Sequence, residues 1–313
     1  MGTAHDTVTQ IRQRVSALGE GNWLLAVSGG MDSMVLLDAG AKTLDHAGLT
    51  VATFDHGTGP AARKASRVVA RHALDLGVGC VTGTAPKTGR SEAEWRAARW
   101  EFLDDVAARL DATVVTAHTL NDQVETVMIR ALRGAGPRGL AGLYAESPIA
   151  RPLLETTRAE IATYVAGNGL PYVTDPSNSD RRHLRNRVRL DLLPALERAA
   201  PGFAGSLLEI SEKAAAWRAQ MEAIALSFPM MSDSPESHSF QRRPLSVFPG
   251  ASLRYLWPAL CARAGIILDW RGTERLAEFT IEGETGQQIQ LSGGVTVYME
   301  RQAITFRSAV PNG

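Results

Sequence analysis

The sequence predicts an α/β protein: a doubly wound parallel sheet followed by a second, smaller α+β domain. Three observations predict it. Short apolar runs alternate with helical stretches over residues 20–135, the pattern of βαβ units. The first run, Trp23 to Val27, is continuously apolar, as a strand covered on both faces must be. It stops at Ser28-Gly29-Gly30, and a helix then starts near Asp32-Ser33 with Met34, Val35, Leu36 and Leu37 behind it.

In chain order, residues 5–19 read as a short amphipathic helix ahead of that first strand. Leu49 to Phe54 form a second strand ending at Asp55-His56-Gly57, a helix covers about 61–76, and Val78 to Thr82 is a short strand. Ser91-Glu92-Ala93-Glu94 is a capping-box start for a helix running to Leu110. Ala112 to Ala117 is the next strand, and Leu120 to Leu132 the next helix. Gly134 to Gly142 is a glycine-rich loop. A strand-like piece at Arg151-Pro152-Leu153-Leu154 leads to a second capping box, Thr157 to Glu160. From Asp175 the texture turns to Asp-Pro-Ser-Asn-Ser-Asp and then an arginine-dense helix, which Pro201-Gly202 punctuates. Helical residues to about 227, a Ser/Pro/Asp-rich linker at 228–237, helices to about 280 and a meander (Gln287–Leu291, Val295–Glu300, Ala303–Phe306) complete the chain. The expected domains are 1–200 and 201–313.

Lysine plus arginine equals aspartate plus glutamate at 33 each, so no global basic field marks a nucleic-acid binder, although a local patch can. Cys80 and Cys261, the only two cysteines, have no Cys-x-x-Cys spacing, which argues against a disulfide scaffold, a zinc ribbon or an iron–sulfur cluster. No stretch is apolar and long enough to span a bilayer, and the first twenty residues do not read as a signal peptide. The expected setting is cytoplasmic. An N-terminal helix and a compact meander can both support a homodimer.

The Ser28–Ser33 turn carries the first chemistry. Two glycines let backbone N–H groups approach an anion, and the helix start adds its positive dipole end. No Gly-Lys-Ser/Thr follows, so the lysine of a Walker A loop is missing. Ligands of such sheets sit at the carboxyl ends of the strands, and Ser28, Asp55 and His118 all fall there. Asp122 and Glu125 lie three apart on the helix after His118, a carboxylate pair suited to Mg²⁺, although acidic residues in a first turn also stabilise a helix without any ligand. Arg181, Arg182, Arg185, Arg187 and Arg189 crowd nine residues with no acidic residue among them, either a solvated face or a set of phosphate contacts.

Ser28-Gly29-Gly30-Met31-Asp32-Ser33, Asp55-His56-Gly57, His118 through Thr126 running into Arg130-Ala131-Leu132-Arg133, Arg151-Pro152-Leu153-Leu154, Asp175-Pro176-Ser177-Asn178 and Arg185-Asn186-Arg187-Val188-Arg189 occur in that order. Together they resemble tRNA(Ile)-lysidine synthetase, a family of N-type ATP pyrophosphatases with an adenine nucleotide alpha hydrolase-like fold. The resemblance covers residues 20–200 closely and the terminal meander more loosely.

It implies a ligase that uses ATP and Mg²⁺ to adenylate the C2 oxygen of the wobble cytidine in tRNA(Ile) with a CAU anticodon. The ε-amine of free L-lysine then displaces AMP to give lysidine. By position, Ser28, Gly29, Gly30, Met31, Asp32 and Ser33 would hold ATP with Asp55 near the nucleoside, and Asp32 and Asp122 would hold the metal. Asp32, Arg99, His118 and Asp122 would be catalytic, with Arg99 placed on charge developing at the phosphate. Lysine must attack as a neutral amine, so His118 or Asp122 would lower its pKa or take its proton. Arg133, Arg181, Arg185, Arg187 and Arg189 would contact tRNA, residues 1–200 would be the catalytic domain, and the helical plus β-meander domain over 201–313 would bind tRNA.

Three departures stand out. Asn121 replaces an aspartate common in the family, Thr119 a second histidine, and Thr58-Gly59 a Leu-Arg pair. Another PP-loop tRNA-modifying or small-molecule adenylating enzyme, or a diverged tRNA-binding paralogue without chemistry, are the competing readings.

Overall fold

The computed structural model describes residues 4–57, 59–85, 92–234 and 237–308. Ser91 and Thr58, and with Ser91 the capping box expected there, lie outside them. By internal contacts the chain divides into two compact units. The first takes in the residues up to Gly134 and Gly142–Ser211; the second takes in Ala135–Ala141 and the residues from Glu212 onward.

The first unit begins with α1 (Ala4–Ser16), β1 (Trp23–Ala26), α2 (Met31–Thr43), β2 (Leu49–Asp55), α3 (Pro60–Asp75) and β3 (Gly79–Thr84). It continues with α4 (Glu92–Leu110), β4 (Thr113–Thr116) and α5 (Leu120–Leu132). The four strands are parallel in the order β3-β2-β1-β4. Strand order therefore reverses about β1, and the crevice at the carboxyl ends of β1 and β4 is the switch point where such sheets take ligands.

Burial explains the apolar run of β1. Leu25 and Val27 pack with α1, α2 and α3 through Ile11, Val15, Leu36 and Val69, whereas Leu24 and Ala26 face Leu103 and Val106 of α4. Both faces are covered, so no alternation appears in the sequence. Helix α1 spends Ile11 and Val15, both 0% exposed, on this core, so its apolar face is used within the unit.

Two expectations for the first unit need correction. Residues 151–154 form a turn, not a strand; only Ala150 bridges Val115, and Pro152 has no N–H for a ladder. The arginine segment is not one regular helix either. It runs through α8 (Leu184–Arg187), a π-helical turn over Val188–Leu192 and α9 (Leu193–Ala199), after α6 (Pro137–Leu140) and α7 (Arg158–Asn168).

The helix α10 (Phe203–Leu226) is continuous across Ser211/Glu212. The second unit then forms a five-stranded antiparallel sheet in the order β5-β6-β9-β8-β7. Its strands are β5 (Met230–Ser234), β6 (Ser237–Gln241), β7 (Gln288–Gln290), β8 (Val295–Met299) and β9 (Ala303–Ser308). Helices α11 (Arg242–Ser246), α12 (Gly250–Arg263) and α13 (Trp270–Glu282) intervene. Trp257, Phe240 and Phe306 centre its core, and the Trp257 indole donates to Thr280 Oγ1 at 2.8 Å. The expected linker at 228–237 is a correction: β5 pairs with β6, and β6 with β9. Serines dominate this hairpin, which disguises it as a loop, while Phe240 supplies its core contact.

Candidate active site

The phosphate loop forms where β1 runs out. Gly29 has φ +84°, and a Cβ there would stand 3.0 Å from both Cβ and O of Ala65, so conformation and space both require glycine. Its carbonyl accepts from Val173 N at 2.9 Å, which ties the 170s segment to the loop. Ser33 Oγ donates to Gly30 O (2.9 Å) and accepts from Ser28 N (3.2 Å). Gly30 is the N-cap of α2 without a side-chain cap, leaving first-turn N–H groups for an anion.

Beside the loop a cavity of about 220 Å³ is lined by Val27, Ser28 and Gly30 on one side and by Phe54, His56, Ala65, Arg99, Asp175 and Asn178 around it. Arg99, expected at the reacting phosphate, lies in this wall. Burial, with Arg96 beside it, pushes its guanidinium pKa down, and it has no carboxylate partner among the described residues. A desolvated cation of this kind seeks an anion. Asp55, expected near the nucleoside, is not in the wall. Its Oδ1 accepts from Gly57 N (2.8 Å) in a turn, and its neighbours Phe54 and His56 line the cavity instead. His56 Nδ1 is buried without a hydrogen bond, and burial together with Arg99 lowers its pKa. His56, Val173 and Asp175 are the residues that sequence reasoning left without a role. The strand-end motif Asp55-His56-Gly57 signalled His56 and the turn chemistry of Asp175-Pro176-Ser177-Asn178 signalled Asp175, whereas Val173 had no signal.

Asp32, in the first turn of α2, has Oδ1 buried with no hydrogen-bond partner. Burial raises its carboxyl pKa, and the charge of Asp122 raises it further, while Arg158 and Arg189 pull the other way. The structure thus brings the two expected metal-binding carboxylates together with one oxygen unsatisfied. Asp122 also caps its own helix, for its Oδ2 accepts from Thr119 N (2.9 Å) and Thr119 Oγ1 (3.0 Å). Its Oδ1 takes no part in that cap. Among the described residues no group of three or more His, Cys, Asp or Glu is arranged to hold a metal. Two carboxylates that rely on phosphate oxygens and water for the remaining ligands suit Mg²⁺.

His118, at the end of β4, shares a 2.8 Å hydrogen bond between Nδ1 and Thr116 Oγ1. Burial lowers its pKa to about 4; Asp122 opposes this, and Arg151, Arg185 and Arg99 reinforce it. The ring is neutral near pH 7, with Nε2 left to act.

Glu125, for which the sequence left metal binding and a ligand-free role both open, is held by arginines. It is 2% exposed and accepts from Arg189 Nε (2.6 Å) and Nη2 (3.0 Å), with Arg185 Nε 3.1 Å away. Arg185 also donates to Thr126 Oγ1 at 2.9 Å. The acidic partners that the arginine run lacks therefore come from elsewhere: Glu125 for Arg185 and Arg189, Asp191 for Arg181 (3.1 Å) and Asp180 for Arg182 (2.6 Å). Arg133 and Arg187 are exposed and make no ion pair among the described residues.

Residues 3–196 match the PP-loop domain family ATP_bind_3, more than half of the chain. The tRNA(Ile)-lysidine synthase of Methylobacterium nodulans is 37% identical over 265 residues, 78% of this chain and 76% of that protein. This chain belongs to the tRNA(Ile)-lysidine synthase family. The synthase of that name from Rhodopseudomonas palustris is 38% identical over 246 residues, covering 74% of this chain and 68% of the relative. The fold is that of the U34-tRNA thiolase NcsA from Methanococcus maripaludis, with a TM-score of 0.53 at 16% identity over 67% of this chain and 79% of that one. The chain is thus a PP-loop enzyme with an ATP-binding domain.

Asn121 and Thr119, where departures from the family pattern were expected, both have partners in the structure. Asn121 Oδ1 accepts from Arg158 N at 2.8 Å, at the first residue of α7. A neutral carbonyl oxygen is enough for that bond, so the Asn121 side chain is used to dock α7. The Thr119 hydroxyl donates to Asp122 Oδ2 and so helps to hold that carboxylate. No helix among the described residues is long and apolar enough to cross a membrane.

Proposed function

We propose that this enzyme converts the wobble cytidine of tRNA(Ile) with a CAU anticodon to lysidine, consuming ATP and free L-lysine. The observation that carries the reading is the buried, unpartnered Oδ1 of Asp32 beside Asp122 at the mouth of a glycine phosphate loop. A carboxylate held there without a hydrogen bond and against a like charge is poised for a cation brought in by a polyphosphate.

In the first step the cytidine C2 oxygen attacks the α-phosphorus, the bond to the β-phosphate bridging oxygen breaks, and pyrophosphate leaves. The Gly29–Gly30 backbone and the α2 N-terminus cradle the phosphates. Arg99 meets charge that grows on the transferred phosphate, where a desolvated cation is worth most. Asp32 and Asp122 would hold Mg²⁺, which when bound neutralises phosphate charge.

In the second step the lysine ε-nitrogen attacks C2 and the C2–O bond breaks, releasing AMP. The amine sheds a proton, and His118, neutral with Nε2 unengaged by Thr116, is the acceptor favoured by its protonation state. Asp122, whose charge favours protonated His118, stabilises the imidazolium that forms. Arg133, Arg181 and Arg187 face solvent and are suited to the tRNA backbone, whereas Arg185 and Arg189 act first through Glu125.

Labelled lysine incorporation into a tRNA(Ile) transcript with a CAU anticodon, with ATP and Mg²⁺, tests the reading. Incorporation that disappears with a substituted wobble base is expected. Pyrophosphate release driven instead by a small acid or amine, without tRNA, would sink it.

A further inference from the structure

Gln123 is 0% exposed, follows Asp122 directly, and takes no part in the chemistry above. A glutamine in that position is costly unless both ends of its amide are satisfied. Both are. Its Oε1 accepts from Leu143 N at 2.6 Å, and its Nε2 donates to Ser211 Oγ. Space for the carboxamide depends on Gly142: at φ +61°, a Cβ there would meet Gln123 Oε1 at 2.5 Å.

These partners mark particular places in the chain. The first unit resumes at Gly142, next to Leu143, after the excursion of Ala135–Ala141 into the second unit, and it ends at Ser211. The remaining connection, at Gly134, leaves from the end of α5 itself, where Gly134 N donates to Ala131 O at 3.0 Å. All three covalent links to the second unit are therefore anchored on one helix: one through its C-terminus and two through the amide of Gln123. Within the second unit both linking segments are themselves fastened, since Arg138 of the excursion pairs with Glu222 of α10 at 2.7 Å. The first turn of that same α5 carries Asp122, and His118 lies just ahead of it.

We propose that Gln123 is a positioning residue that transmits tRNA engagement by the C-terminal unit to the Asp122–His118 end of α5. The inference rests on the tRNA reading given above. A load on either linking segment bears on α5 through hydrogen bonds whose geometry is fixed by a buried amide, and an apolar side chain would let the helix shift. Gln123 acts on how Asp122 and His118 are set once tRNA is bound, so ATP binding by the tRNA-free enzyme stays as in the parent.

Two variants test this. Gln123→Met keeps length and burial but removes the amide; Ser211→Ala removes only a hydroxyl in the partner. Each is assayed for ATP affinity, tRNA affinity, melting temperature, and pyrophosphate release with and without the CAU transcript. Both affinities should stay near the parent's while kcat for tRNA-dependent release falls about tenfold, within the ordinary range of coupling between sites, and KM for ATP does not change. Parental kcat in either folded variant would overturn the proposal. A parallel loss of ATP affinity, tRNA affinity and kcat with a lowered melting temperature would also overturn it, by marking a purely structural role. Failure of the parent to release pyrophosphate with the transcript is read on the parent alone; it would remove the tRNA reading and this inference with it.

Discussion

Replacing Asp32 by asparagine should make the free protein more stable and the enzyme inactive. In the free protein Oδ1 of Asp32 is buried without a donor, and Asp122 adds like charge next to it. Leaving a buried charged acceptor unmatched costs more than leaving a neutral amide there, by about 1–2 kcal/mol. For a unit of this size each kcal/mol is about 2–4 °C, so Asp32→Asn should raise the melting temperature by roughly 2–8 °C without ligand. With ATP and Mg²⁺ at about a hundred times Kd, binding adds about 2.7 kcal/mol to the parent, and the variant should lose most of that gain. The order of melting temperatures should then invert between free and liganded samples. The pH dependence carries a second sign. Because the folded pKa is raised, the cost in the parent appears as pH climbs above the unfolded value near 3.8 and is absent below it. The gain from the variant should therefore shrink in acid. Scanning calorimetry with and without nucleotide measures all of this. A less stable free variant, or equal stabilisation of parent and variant by Mg²⁺ and ATP, would refute the argument.

Glu125→Gln should destabilise the first unit by about 1–3 kcal/mol, since Arg189 and the more exposed Arg185 lose a charged partner that is itself 2% exposed; denaturant unfolding showing no loss of stability would contradict it. The folded pKa of His118 is depressed, so its contribution is present above about pH 6.5 and is lost as pH falls toward about 4. Parental stability should fall more steeply than that of His118→Asn across that window in a pH series of melting curves. Gly29→Ala forces a side chain into φ +84° and against Ala65, a strain of about 1–2 kcal/mol, and equilibrium binding should show weakened ATP affinity. Arg187→Ala should weaken tRNA binding with a log–log salt slope shallower by about 1, and Arg185→Ala should act more through stability; identical salt behaviour of the two would contradict the division.

The parallel strands, the phosphate loop and the residues at the strand ends were legible in the sequence because each is a local property. Trp23–Val27 is apolar throughout since both faces are covered, Gly29 is required by a turn of a few residues, and His118 and Asp122 follow a strand by simple adjacency. The ordered motifs also identified the family, which the 37% identical relative bears out. Misreadings arose where pairing is remote. The serine-rich 228–237 segment looks like a linker because its own strand, β5, is mostly polar and pairs only with β6, which reaches the rest of the sheet through β9, more than sixty residues further on. Arg151–Leu154 has strand-like side chains, but Pro152 cannot join a ladder. Spacing on one helix left Glu125 open between a metal and a ligand-free role, and only the packed structure could hand Glu125 to Arg185 and Arg189. The same holds for the function of each site group. Residue type alone says that Asp32 is an acid and His118 a base. Burial, and the charges that other elements bring near, decide that one carboxylate oxygen stays unmatched and that the imidazole stays neutral.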